Sequence, residues 1–99
     1  VSPGDVWIVK HPVYGSEQVV LLSGALYNRQ ARVVFAAPVR TLVDSQGYSV
    51  PLSRGGYAAI DSMRMLARED LIEQAGRLEE MDVTQIKIVL SVIFDLDID

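Results

Sequence analysis

Short apolar runs separated by clusters of Gly, Pro, Ser and Asn fill most of the chain, and a longer stripe at helical spacing appears only near its end. Residues 5–10 (Asp-Val-Trp-Ile-Val-Lys) are rich in β-branched and aromatic side chains behind Pro3-Gly4 and predict a first strand. Residues 11–16 mix Pro, Gly and Ser without periodicity and predict a loop, and the apolar run 19–22 predicts a second, buried strand. Residues 24–30 read as polar and irregular. Residues 32–39 predict a third strand, which Pro38 should end or confine to an edge because it lacks a backbone N–H. Ser45-Gln46-Gly47 is turn chemistry, and Tyr48, Val50 and Leu52 then alternate with Ser49, Pro51 and Ser53 as a fourth strand. A second turn at Arg54-Gly55-Gly56 leads to a fifth strand over 57–65.

The period then changes. Residues 67–72 predict a short helix that Gly76 stops from lengthening. Asp82-Val-Thr-Gln85 has the form of a capping box, and Val83, Ile86, Leu90 and Ile93 follow at helical spacing. Ile88, Val89, Val92, Phe94 and Leu96 widen the stripe beyond one face. Such a helix needs a second surface to cover it, which a second copy of the chain would supply. The expected architecture is mainly β: a small, strongly bent antiparallel sheet, closed or nearly closed into a barrel and packed by one C-terminal helix. Ninety-nine residues make one domain.

Composition narrows the chemistry. Apolar residues make 49% and charged residues 22%, the balance of a chain that folds. With no cysteine and one histidine there is no disulfide framework, no thiolate nucleophile and no Cys/His metal cluster, so no metal or other cofactor is expected. Apolar runs are too short to span a membrane and no leader is evident, which predicts a cytoplasmic protein. The net charge of −4 conceals a marked asymmetry. Residues 29–64 hold five arginines against Asp44 and Asp61, whereas residues 65–99 hold three cations against nine acids. The middle of the chain can face a polyanion and the tail cannot.

Several short motifs fall in a recognisable order. Gly4-Asp5-Val6-Trp7, Gly15-Ser16-Glu17-Gln18, Ala25-Leu-Tyr-Asn28-Arg29, Ala37-Pro38-Val39, Asp61-Ser-Met-Arg64, Gly76-Arg77-Leu78 and the helix over 86–96 together resemble the MazF/Kid/PemK family of toxin endoribonucleases. The resemblance runs from about Pro3 to Leu96. It implies an SH3-like, CcdB-like barrel and a homodimer acting as the toxin of a type II toxin–antitoxin system. It further implies sequence-specific cleavage of single-stranded RNA without metal, and inhibition by an antitoxin peptide. The chain departs from the family at defined points. Many members carry Gly-x-Arg-Pro before strand two, with a catalytic Arg, where here Gln18 runs straight into Val19. The Ser/Thr beyond strand three falls at Arg40 or Thr41. A Kid-like His is replaced by Ser16 and an Arg by Ala59, while Asp61 is kept.

Cleavage by attack of the 2′-OH needs a base, donors for the charge growing on phosphate and an acid for the leaving oxygen. The resemblance nominates Glu17 and Asp61 as carboxylates for the base, one whose pKa burial raises being the better suited. It nominates Arg40 with Thr41 for the phosphate, and Tyr14, Ser16, Gln18, Arg29 and Arg64 for RNA binding. Each has a plain structural alternative: a surface acid for Glu17, a turn for Asp61, a solvated strand end for Arg40, a salt bridge for Arg64. Tyr48 and Tyr57 are further aromatics near turns that can stack on bases or pack at the rim. His11 is a lone loop histidine at no catalytic position of the family. The second functional reading is a nuclease-dead relative that binds an antitoxin or another target such as a topoisomerase. The CcdB branch poisons gyrase through a Trp-Gly-Ile end, and the end Phe94-Asp-Leu-Asp-Ile-Asp99 lacks it. A plain SH3-like module would need a dense aromatic groove for Pro-rich ligands, which is missing.

Overall fold

The computed structural model describes residues 2–11, 13, 15–41 and 47–96, with the side chain of His11 excepted. Strand β1 (Asp5–His11) is followed by β2 (Gly15–Leu21), helix α1 (Ala25–Gln30) and β3 (Val33–Arg40). Then come β4 (Ser49–Pro51), β5 (Tyr57–Ala59), a 3-10 turn at Ile60–Ser62, β6 (Arg64–Ala67), a 3-10 turn at Arg68–Asp70, β7 (Leu71–Arg77) and helix α2 (Glu80–Ile93). The strands form one bent antiparallel sheet in the order β4-β5-β3-β2-β1-β7, with β6 also paired to β3. The mainly β architecture with a C-terminal helix is the one expected. The sheet is bent but not closed, since its hydrogen-bonded path ends at β4 on one side and β7 on the other.

Alternation in the strands builds two cores, one on each face of the sheet. Val6, Val20, Ala37, Val50, Ala58 and Ile60 meet Leu78 and Ile86 on the face that α2 covers, with Val83, Val89, Leu90 and Ile93 packed around them. Val9, Val19, Leu21, Val34 and Ala36 form the other, beneath Trp7, Leu66 and Leu71. The approach of α2 depends on Gly4, whose φ is +87° and where a Cβ would lie 2.6 Å from Val83 Cγ2. The adjacent Leu78 N–H donates to Gly4 O at 2.8 Å, which ties the entry of α2 to the start of β1.

Several sequence expectations are corrected. Residues 24–30 are not irregular: α1 forms there because buried Asn28 locks it to the sheet. Asn28 Nδ2 donates to Ser23 O at 2.9 Å, Ser23 Oγ donates to Asn28 Oδ1, and Phe35 N–H donates to Ser23 Oγ at 3.1 Å. The expected fifth strand over 57–65 is broken by the turn at Ile60–Ser62 into β5 and β6, and a further strand, β7, makes seven rather than five. Residues 67–72 are the end of β6, one 3-10 turn and the start of β7, not a helix; pairing with β1 outweighs the local propensity. Pro38 neither ends β3 nor lies on an edge strand. Along one side of β3 the register passes from Ala36, opposite Arg64 of β6, to Val39, opposite Ala58 of β5, and Pro38 lies in that interval. Of the expected turn at 45–47, Ser45 and Gln46 lie outside the described residues.

The capping box is also overturned. Helix α2 begins at Glu80 behind Glu79, so Asp82 is inside its first turn. Its buried carboxylate accepts from Ser53 N–H and Ser53 Oγ–H, both at 3.0 Å, and so staples the β4–β5 hairpin to α2. Asp82→Ala is therefore expected to lower unfolding free energy by about 1–3 kcal/mol in urea titration, since it removes two hydrogen bonds to a charged, buried acceptor. Combining it with Ser53→Ala should cost less than the sum of the two single changes. A helix cap alone would leave the two changes additive.

Candidate nucleic-acid interface on the β2–β3–β6 face

Strand register brings together residues far apart in sequence. Leu21 pairs with Ala36 and Val19 with Pro38, while Ala36 on its other side pairs with Arg64. Residues two apart share a face, so Glu17 belongs with Val19 and Leu21, and Arg40 with Pro38 and Ala36. Glu17, Arg40 and Arg64 thus stand on one face. Glu17 and Arg64 form an ion pair there, 47 positions apart in sequence; the Arg64 side chain is 39% exposed and that of Glu17 18%. The salt-bridge reading of Arg64 is the structural one, although its partner is Glu17 and not the nearby Asp61.

Arg40 closes β3 at the exposed end of this face, directly across from half-buried Tyr57 of β5. Its guanidinium forms no ion pair with any described residue. Thr41 follows it, exposed, just past the strand. A cation and a hydroxyl adjacent to an aromatic ring are the donors and the stacking surface that a nucleotide would engage. Tyr48, also exposed, precedes β4.

Asp61 has a defined structural job. It sits in the 3-10 turn between β5 and β6, where its Oδ2 accepts from Tyr48 N–H at 3.1 Å. A Cβ on Gly47 would lie 2.8 Å from Asp61 Oδ2, so the glycine makes room for the carboxylate. Ile60 N–H donates to Tyr48 O at 3.0 Å beside it. Asp61 therefore anchors the entry to β4 at Gly47 and Tyr48.

Other nominated residues divide. Ser16 and Gln18 are exposed on β2 but alternate to the opposite face from Glu17, across from Lys10 and Ile8. Arg29 lies in the last turn of α1, beyond the far end of β3 from Arg40, and so is not brought to this site. Tyr14 lies outside the described residues. Sequence reading missed the Glu17–Arg64 pair, because no local pattern links positions on β2 and β6; only the β3 ladder between them does. Among the described residues there is no group of three His, Cys, Asp or Glu side chains that would hold a metal ion.

Residues 2–94 match a family model described as PemK-like, MazF-like toxin of type II toxin–antitoxin system. No curated protein matches the chain. Among solved structures, the MazE–MazF complex from Deinococcus radiodurans superposes with a TM-score of 0.83 at 19% identity, covering 98% of this chain and 97% of that one. An endoribonuclease in complex with its cognate antitoxin from a mycobacterial species gives 0.80 at 20% identity, with 100% and 97% covered. The Mycobacterium tuberculosis toxin MazF-mt6 also gives 0.80 at 20% identity, with 94% and 98% covered. At such identities the likeness is one of fold.

With the Arg64 side chain 39% exposed, the part-buried Glu17–Arg64 pair is still screened by solvent and contributes modestly to stability. The cycle Glu17→Gln, Arg64→Met and their combination should return a coupling of at most about 1 kcal/mol in urea unfolding, falling as salt is raised. A coupling of several kcal/mol would mean that the pair is a structural core element.

Proposed function

The chain belongs to the PemK-like, MazF-like toxins of type II toxin–antitoxin systems, and from that premise we propose that it is an endoribonuclease. Its substrate is single-stranded RNA, bound on the β2–β3–β6 face and cleaved without metal at preferred sequences. The observation that carries the reading is the convergence of Glu17, Arg64 and Arg40 on one face, with Thr41 and Tyr57 at its open end.

In this reading the RNA 2′-OH attacks the adjacent phosphorus and its proton passes to Glu17. The P–O5′ bond breaks, and the leaving oxygen takes a proton from water to become a 5′-hydroxyl. The other product is a 2′,3′-cyclic phosphate. Arg40 spans two phosphate oxygens as negative charge grows on them, and Thr41 adds a hydroxyl donor. Phosphate also competes with Glu17 for Arg64, and this competition frees the carboxylate to act as base. Asp61 holds the turn that carries Tyr48 and acts on the reaction only through that geometry.

One observation favours the binding-only reading. Both nominated carboxylates are already engaged, Glu17 with Arg64 and Asp61 with the Tyr48 amide. The discriminating assay incubates the protein with a long single-stranded RNA and a chelator. Discrete fragments ending in 2′,3′-cyclic phosphate support the nuclease; intact RNA with folded protein supports the binder. Arg40→Ala should lower cleavage by roughly two to three orders of magnitude, as the loss of one preorganised oxyanion donor does. Arg40→Lys should restore little, because a point charge cannot pair two oxygens. Asp61→Asn, which keeps an acceptor for Tyr48 N–H, should retain most activity, and its complete loss would return Asp61 to the role of base.

We further propose a homodimer formed through α2 and an antitoxin peptide as the cognate inhibitor. Met81, Ile88 and Val92 form an exposed stripe on the side of α2 away from the sheet, Met81 being 68% and Val92 58% exposed. Phe94 and Leu96 extend it past the helix end. That apolar surface fits a second copy. Sedimentation at micromolar concentration should give about 22 kDa, twice the 10.9 kDa of one chain, and Val92→Asp should give the monomer. A monomeric wild-type chain would remove this part of the reading. Among the described residues no helix is long and apolar enough to cross a membrane.

A further inference from the structure

The end of β3 opposite Arg40 carries a second group of cations that the proposed reaction does not use. Arg29 stands in the last turn of α1, Arg32 just before β3, and Arg68 in the 3-10 turn after β6. Arg68 N–H donates to Arg32 O at 2.9 Å, which continues the β3–β6 register and sets the two residues side by side. The Arg68 guanidinium is held in place: its Nη1 donates to Arg29 O at 3.2 Å and to Ala31 O at 3.4 Å. That is the carbonyl end of α1, where a cation is favoured. Its remaining N–H groups make no hydrogen bond to a described residue.

None of the three arginines forms an ion pair with a described residue. Arg32 and Arg68 line an open hollow of about 710 Å³ in which Glu69 is the one carboxylate. In a chain of net charge −4, two unpaired guanidiniums on one hollow, with Arg29 on the adjoining helix end, are a local concentration of positive potential. Tyr27, on the same short helix as Arg29, leaves 43% of its surface exposed while its ring leans on Phe35 with centroids 5.9 Å apart. Arg32 stands at an even position like Arg40 and so shares its face of the β3 line. Guanidiniums set along one face suit the repeating phosphates of a single strand.

We propose that this end is a second RNA contact, which grips the phosphates of a strand whose scissile bond lies at Arg40. The inference rests on the function proposed above. Arg32 and Arg40 are separated by eight residues of extended chain, roughly 25 Å, so a very short RNA reaches one group and a long RNA reaches both.

The test measures binding of a tetranucleotide and of a much longer unstructured RNA, each made uncleavable by 2′-deoxy substitution, by fluorescence anisotropy across a salt series. For the long RNA, Arg29→Ala combined with Arg32→Ala should flatten the slope of log K against log salt by about 1.4, at about 0.7 per lost phosphate contact. For the tetranucleotide the slope should not change. Arg29→Lys combined with Arg32→Lys should keep the long-RNA slope, which controls for damage to α1. An unchanged long-RNA slope in the alanine variant, with wild type binding and cleaving RNA, would overturn this second contact and leave the proposed function standing. Wild type that binds neither RNA would overturn both. Polyglutamate bound by wild type and lost in the alanine variant, with the RNA slope unchanged, would make the hollow a dock for acidic peptide.

Discussion

Strand β3 is the constraint on which the molecule depends, because it is bonded along both sides and must satisfy three partners. Ala36–Pro38 pair with β2 on one side, while on the other Val33–Ala36 pair with β6 and Val39–Arg40 with β5. The hand-over between β6 and β5 falls at Ala37 and Pro38, and the 3-10 turn Ile60–Ser62 takes the chain across that gap. A proline without a donor is tolerated in a central strand at such a place and few others. The same register decides which side chains share a face. It puts Arg64 within reach of Glu17 and leaves Arg40 at the open end. A one-residue slip of β3 would exchange Ala36 and Ala37 between the two cores and take Arg40 off the face of Glu17 and Arg64.

The charge asymmetry acquires meaning from this arrangement. Arginines of the middle segment are spread along β3 and its neighbours, with Arg40 at one end, Arg64 between and Arg32 at the other. Apart from Glu69 and Asp70 beside Arg68, acids of the last segment lie largely on β7 and α2, where Asp82 is consumed as a staple and Glu80 is exposed behind exposed Glu79. An acidic protein can therefore offer a polyanion one surface of the right sign while its remaining surface repels it.

How much of this was legible from the chain follows from which interactions are local. Strands β1 to β4 and helix α2 announce themselves because a buried face imposes period on adjacent residues. Helix α1 does not, because what holds it is Asn28 bonded to Ser23, with Phe35 closing the knot from the next strand. Strand β7 was hidden for a related reason: Glu73 and Gln74 are exposed and half-buried Ala75 and Gly76 carry little hydrophobic signal, so only its pairing with β1 defines it. Asp82 looked like a cap since its spacing to Gln85 fits one, yet a hairpin 29 residues upstream takes its carboxylate. At the candidate site, Arg40 and Thr41 could be nominated from a strand end. The Glu17–Arg64 pair required the ladder.

The most direct measurement of whether the β2–β3–β6 face receives RNA is a titration of the ¹⁵N-labelled protein with an uncleavable 2′-deoxy-substituted RNA, followed by amide chemical shifts. The account predicts that the shifts concentrate at Glu17, at Val39–Thr41, at Tyr57 and at Arg64, with α2 and β7 quiet. Shifts confined to α2 and β7, with Arg40 and Arg64 unmoved at saturation, would contradict it.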